Sequence, residues 1–159
     1  MKDKKIKITI LILLVIAGII EGCKKYEDGP LVSFRSAENR IFGKHTLIKY
    51  TVDGIDSLSL YNDSLGLSFN FNYDEVSKEN ICSIDGKRKD GKYGSLSWNW
   101  KLANNNKILQ QIYSIGSIGT GPFGKLKNNI EWEILRLTNK ELKMKTNYNN
   151  KEYLIELIK

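Results

Sequence analysis

From Gly43 to the C-terminus, apolar residues recur at every second position in short runs broken by turn residues. Ile48, Tyr50 and Val52 alternate with Lys49 and Thr51 before Asp53-Gly54. Leu65, Leu67, Phe69, Phe71 and Tyr73 alternate with Ser68, Asn70 and Asn72, and the run Ile81 to Ile84 precedes Asp85-Gly86. Leu96, Trp98, Trp100 and Leu102 fall on one side of a segment whose other side carries Ser97, Asn99 and Lys101. After Asn104-Asn105-Asn106 come an extended run from Lys107 to Ile115, then Ile130, Trp132 and Ile134, then Leu142, Met144 and Thr146, and finally Tyr153, Ile155 and Leu157. Successive side chains of a strand point to opposite faces, so each run predicts a half-buried strand. About eight strands with frequent turn signals predict an all-β sandwich or barrel, and a meander removes its exposed edges by closing on itself.

Upstream the pattern differs. Lys24 to Asn39 is mostly polar and predicts a tether followed by one irregular turn or short helix around Ser36 to Arg40. Before it, a basic run from Lys2 to Lys7 leads into uncharged, mostly apolar residues from Ile8 to Ile20. That stretch is shorter than the ~20 residues of a spanning helix and has the form of a secretory signal peptide. It runs directly into Ile20-Glu21-Gly22-Cys23, which resembles the lipobox of bacterial lipoproteins: Ile20, Gly22 and Cys23 match, and Glu21 replaces the usual small residue. The resemblance implies a diacylglyceryl group on the Cys23 thiol, cleavage before Cys23 and a further fatty acyl chain such as palmitate on the freed amine. Lys24 to Pro30, a lysine pair followed by acidic residues, is similar to the start of mature Bacteroidetes lipoproteins, which implies an outer-membrane address compatible with surface export. The expected organisation is a signal peptide over 1–22, a lipidated tether over 23–39 and a barrel domain over 40–159.

The chain has 159 residues and a formal net charge of +7. The charge changes the picture little: Arg35, Arg40, Arg88 and Arg136 are scattered, and the remaining basic residues are lysines in a chain also rich in Asn and Ile. Nucleic-acid binders cluster arginine with stacking aromatics, so no nucleic-acid partner is expected.

Candidate chemistry is sparse. His45, the single histidine, excludes a histidine-rich zinc site and is expected to have a structural or merely surface role; no metal or cofactor is expected. Cys82 is the one cysteine left once Cys23 is acylated, and its strand position predicts a buried thiol. Gly119 to Lys125 spaces glycines and a lysine like a phosphate loop, but Leu126 stands where Ser or Thr must hold magnesium and Pro122 removes an N–H donor, which leaves a glycine-rich connector. Glu131 and Glu133 share one face of a strand, the wet face opposite Ile130, Trp132 and Ile134, and predict solvated carboxylates rather than an acid/base pair. Asp85 and Asp90 flank Lys87-Arg88-Lys89 and predict a solvated hairpin. Trp98, Trp100 and Trp132 are the candidate ligand-binding residues, since interior aromatic walls either fill a barrel or border an apolar pocket.

Gly43-Lys44-His45, Asp53-Gly54, Leu60 to Asp63, Phe69-Asn70-Phe71, Gly94 to Trp98 with Lys101-Leu102, and Trp132 to Leu142 together resemble the small lipocalin-like domains of Bacteroidetes lipoproteins over roughly Arg40 to Lys159. Such domains place a tryptophan two residues after the first-strand glycine, where this chain has His45. The resemblance implies an eight-stranded meander barrel, no enzymatic reaction and a habit of binding a small hydrophobic ligand. The alternative is a filled barrel whose outer surface binds a protein or glycan partner in the envelope.

Overall fold

The computed structural model describes residues 35–60, 67–87, 93–116 and 129–159. A short helix α1 (Ala37–Ile41) is followed by strands β1 (Gly43–Val52), β2 (Ile55–Asp56), β3 (Ser68–Asp74), β4 (Glu79–Lys87), β5 (Tyr93–Ala103), β6 (Ile108–Gly116), β7 (Ile130–Leu137), β8 (Glu141–Tyr148) and β9 (Lys151–Ile158). Consecutive strands from β3 to β9 pair antiparallel, β3 pairs with β1, and β9 returns to β1 from Thr46↔Ile158 to Val52↔Tyr153. The result is a closed antiparallel barrel of eight strands, with β2 as a two-residue return on β1.

The turns carry the residues their backbone demands. Asp53 and Gly54 both have positive φ (52° and 77°), the two-residue turn whose twist suits a hairpin. Asn149 and Asn150 do the same between β8 and β9, and Asn104 to Asn106 all sit in the left-handed region that Asn tolerates better than most residues. Gly43 opens β1 at φ 115°, a conformation that side-chain-bearing residues rarely adopt.

Strict alternation fails at three points, each a bulge in which one strand holds an extra residue. In β1 the register slips between Leu47 and Lys49, so Leu47 and Tyr50 face inward and Ile48 is pushed out to 44% exposure. The expected inward alternation of Ile48, Tyr50 and Val52 is corrected there: the extra residue shifts the phase by one. In β7 Leu135 is the extra residue between Ile134 and Arg136, and in β6 Ile112 is skipped between the pairs Asn99↔Tyr113 and Trp100↔Gln111. Bulges increase local twist, which a small closed barrel requires.

The inward positions form one core. Leu47, Phe69, Phe71, Cys82, Ile84, Leu96, Leu109, Leu142, Met144, Ile155 and Leu157 are buried within it, with Ala37 and Ile41 of α1. Burying each large apolar side chain contributes about 1.5–3 kcal/mol, against the entropy of ordering it. The helix lies at the barrel end where β1 starts and β9 finishes. Its Ser36 N-cap accepts from Asn39 N (3.2 Å), and buried Arg40 donates through Nη1 to Leu137 O (2.9 Å). Helix, cap and strand end are thereby fixed to one another, and this end of the barrel is closed.

Candidate binding site

Trp98, Trp100 and Trp132 all point into the barrel and are 1%, 2% and 0% exposed. Values this small leave Trp98 and Trp132 enclosed by protein, while Trp100 has one edge at the rim of the barrel. Their surroundings are aromatic and tight: Trp98 meets Phe69 edge-on with centroids 6.2 Å apart, and Trp100 meets Phe71 at 5.8 Å and Phe42 at 5.6 Å. Trp132 Nε1 donates to Gln111 Oε1 (3.2 Å), a buried polar pair across β6 and β7. In this geometry the three side chains pack as core, and none of them lines an enclosed interior cavity among the described residues.

His45 occupies the inward position two residues after Gly43 and is 1% exposed. Its ring meets Phe71 edge-on at 5.4 Å, and Nε2 lies 2.7 Å from Ile41 O. A carbonyl only accepts, so Nε2 carries the proton and Nδ1, buried without a partner, does not. His45 thus joins α1 to β1 and fills the closed end. Burial is the main reason its pKa lies below 6.5, with the Lys159 charge adding to it and the Ile41 bond opposing it. The folded state therefore resists the second proton. Stability is expected to hold above about pH 6.5 and to fall as the pH drops below that value towards the depressed folded pKa. His45→Gln, which keeps a donor for Ile41 O, should flatten this limb in urea unfolding between about pH 7.5 and 5; an unchanged slope would show that His45 is not its source.

Other candidates separate cleanly. Cys82 is fully buried, and burial first, then the Asp85 carboxylate, push its thiol well above the ordinary range, so the thiolate is suppressed. Glu131 and Glu133 lie on the outer face as expected: Gln110 Nε2 donates to Glu131 Oε1 (2.6 Å), and Lys145 Nζ lies 3.4 Å from Glu133 Oε2. Cys23 with its lipobox, the connector from Gly119 to Lys125, and Asp90 lie outside the described residues. Among the described residues no three potential ligands gather as a metal site, and no helix is long and apolar enough to cross a membrane.

The concavity that sequence reasoning missed lies at the rim of the closed end. β1 starts at Gly43 opposite Phe71, so the last residues of β3 and the first of β4 extend past it as an overhanging hairpin. Between that hairpin, the end of β5 and the α1–β1 junction is a cleft of about 470 Å³. Phe42, Tyr73, Trp100 and Ile112 supply its apolar surface, and Glu38, Lys78, Glu79, Asn80, Asn99 and Lys101 its polar one. Asn99 Nδ2 donates to Glu79 Oε2, which fixes one carboxylate. Glu38, Asn80 and Lys101 have no side-chain partner among the described residues. Nothing in the local pattern marks these positions, because the cleft arises from unequal strand lengths.

No family model matches the chain, and no curated protein does. Among solved structures, a redesigned β-barrel aligns with a TM-score of 0.51 at 12% identity, over 80% of this chain and 98% of its own. The fold is that of a small closed β-barrel. A lipocalin-like protein from Bacteroides uniformis aligns with a TM-score of 0.48 at 19% identity, over 73% of this chain and 96% of that one. An uncharacterized protein from Bacteroides eggerthii gives 0.41 at 16%, over 72% and 97%.

Proposed function

We propose that this chain is a non-enzymatic, lipid-anchored lipoprotein of the bacterial outer membrane, whose filled barrel is a scaffold for recognition on its outside. The observation that carries the scaffold half is the burial of Trp98, Trp100 and Trp132, which removes the aromatic pocket wall that an interior ligand would need. Supporting the anchor is the succession of a basic start, a short apolar stretch and Ile20-Glu21-Gly22-Cys23. Two or three acyl chains at about 0.8 kcal/mol per buried methylene hold a protein on a bilayer almost permanently. The segment from Cys23 to Ser36 spans at most roughly 45 Å when fully extended, so an anchor on Cys23 holds α1 within about that distance of the membrane.

A titration distinguishes scaffold from carrier. Adding laurate to the chain from Lys24 onward is expected to leave tryptophan emission unchanged, because Trp98 and Trp132 are enclosed in the core and the cleft that Trp100 borders is rimmed by charged groups. A saturable shift or quench would overturn the filled scaffold and restore an interior site for a small hydrophobic ligand.

A further inference from the structure

We propose that the cleft at the rim of the closed end is a carbohydrate site that takes a neutral mono- or disaccharide. The inference rests on the reading of the barrel as a scaffold with external recognition, and adds to it a place and a ligand class. Its volume, about 470 Å³, is within the roughly 300–1,000 Å³ of small-ligand pockets. The composition selects the ligand. A sugar ring has an apolar C–H face and a rim of hydroxyls, each both donor and acceptor. Tyr73, 46% exposed at the end of β3, offers an aromatic face for the former. For the hydroxyls there are the Asn80 amide and the Glu38 carboxylate, both without a partner among the described residues, and Glu79, whose carboxylate Asn99 already orients.

Charge excludes two rival classes. Lys78 Nζ is paired with Glu75 Oε2 (3.0 Å), which leaves Lys101 against Glu38 and Glu79 around the opening, so a phosphate or other anion finds no positive field. A fatty acyl chain would strip water from these charges without replacing their hydrogen bonds. Beneath the rim, Trp100 Nε1 is buried with no acceptor among the described residues, so the fold leaves hydrogen-bonding capacity unused in the floor.

The test uses the full chain in a polyoxyethylene detergent, which brings no sugar of its own. Saturation-transfer NMR is recorded with glucose, galactose, N-acetylglucosamine and cellobiose, and with glucuronate and laurate as comparisons. At least one neutral sugar should receive saturable transfer to its ring protons, with glucuronate weaker. Tyr73→Ala should weaken that binding about tenfold and Asn80→Ala severalfold, whereas Tyr73→Phe, which keeps the ring, should retain it. Val76→Ala should change nothing, since Val76 is 93% exposed on the same hairpin but outside the cleft. Unchanged circular dichroism in Tyr73→Ala separates lost binding from lost fold. Absence of transfer to every sugar, or binding indifferent to Tyr73→Ala, overturns the site while leaving the scaffold reading intact. Laurate binding that shifts the emission of a Trp100→Phe variant, in which only Trp98 and Trp132 remain, overturns the scaffold reading instead.

Discussion

Trp132→Ala is expected to lower the unfolding free energy by about 3–5 kcal/mol, the range for removing a large aromatic from a packed core. The side chain has 0% exposure and stands in register with Leu109 on β6. That seam is thin: among the described residues β6 and β7 pair over Ile108–Gln111 and Ile130–Glu133. Along it the indole supplies both packing and the hydrogen bond to Gln111 Oε1. Alanine would open a cavity and deprive the buried Gln111 carbonyl of its donor, two costs that add. A small domain has about 5–15 kcal/mol in total, so a large share of its stability rests on this residue. Urea unfolding followed by far-ultraviolet circular dichroism measures the loss, and Trp132→Phe should recover part of it. A loss below about 1 kcal/mol would mean that the ring borders free space, and the interior pocket would return as a reading.

The strands were legible because burial on one face imposes a period of two, and Phe69-Asn70-Phe71 or Trp98-Asn99-Trp100 display it without interruption. Asp53-Gly54 and Asn104 to Asn106 marked their turns because few other residues adopt positive φ at low cost. The bulges were not legible. Ile48 is an apolar residue in an apolar run, and only the pairing of β1 with β9 shows that Leu47, not Ile48, faces inward. The pattern left His45 between a structural and a surface role, and its burial and bond to Ile41 O depend on how α1 folds back over the barrel end. The rim cleft was beyond reach for a similar reason: Phe42 is distant in sequence from the hairpin partners Tyr73 and Asn80 and meets them only because the β3–β4 hairpin overhangs β1.

On the proposed lipid anchor, Cys23→Ser is expected to abolish lipid attachment entirely. Attachment needs a sulfur nucleophile: the thiolate attacks the diacylglyceryl carbon of a phospholipid, a thioether forms, and the phospholipid headgroup departs with the electron pair. A serine hydroxyl ionises far less readily than a cysteine thiol of pKa ~8.5 and cannot take its place near neutral pH. Cleavage after Gly22 follows acylation, so the variant should also keep residues 1–22 and migrate as the larger form. Cys82 cannot substitute, because it is fully buried and its thiol is held well above the ordinary range by that burial. Growth with radiolabelled palmitate should therefore label the wild-type chain and Cys82→Ser alike and leave Cys23→Ser blank, with the mature wild-type form in the outer-membrane fraction. Equal labelling of Cys23→Ser would remove the lipid anchor and, with it, the tether that holds α1 within reach of the bilayer.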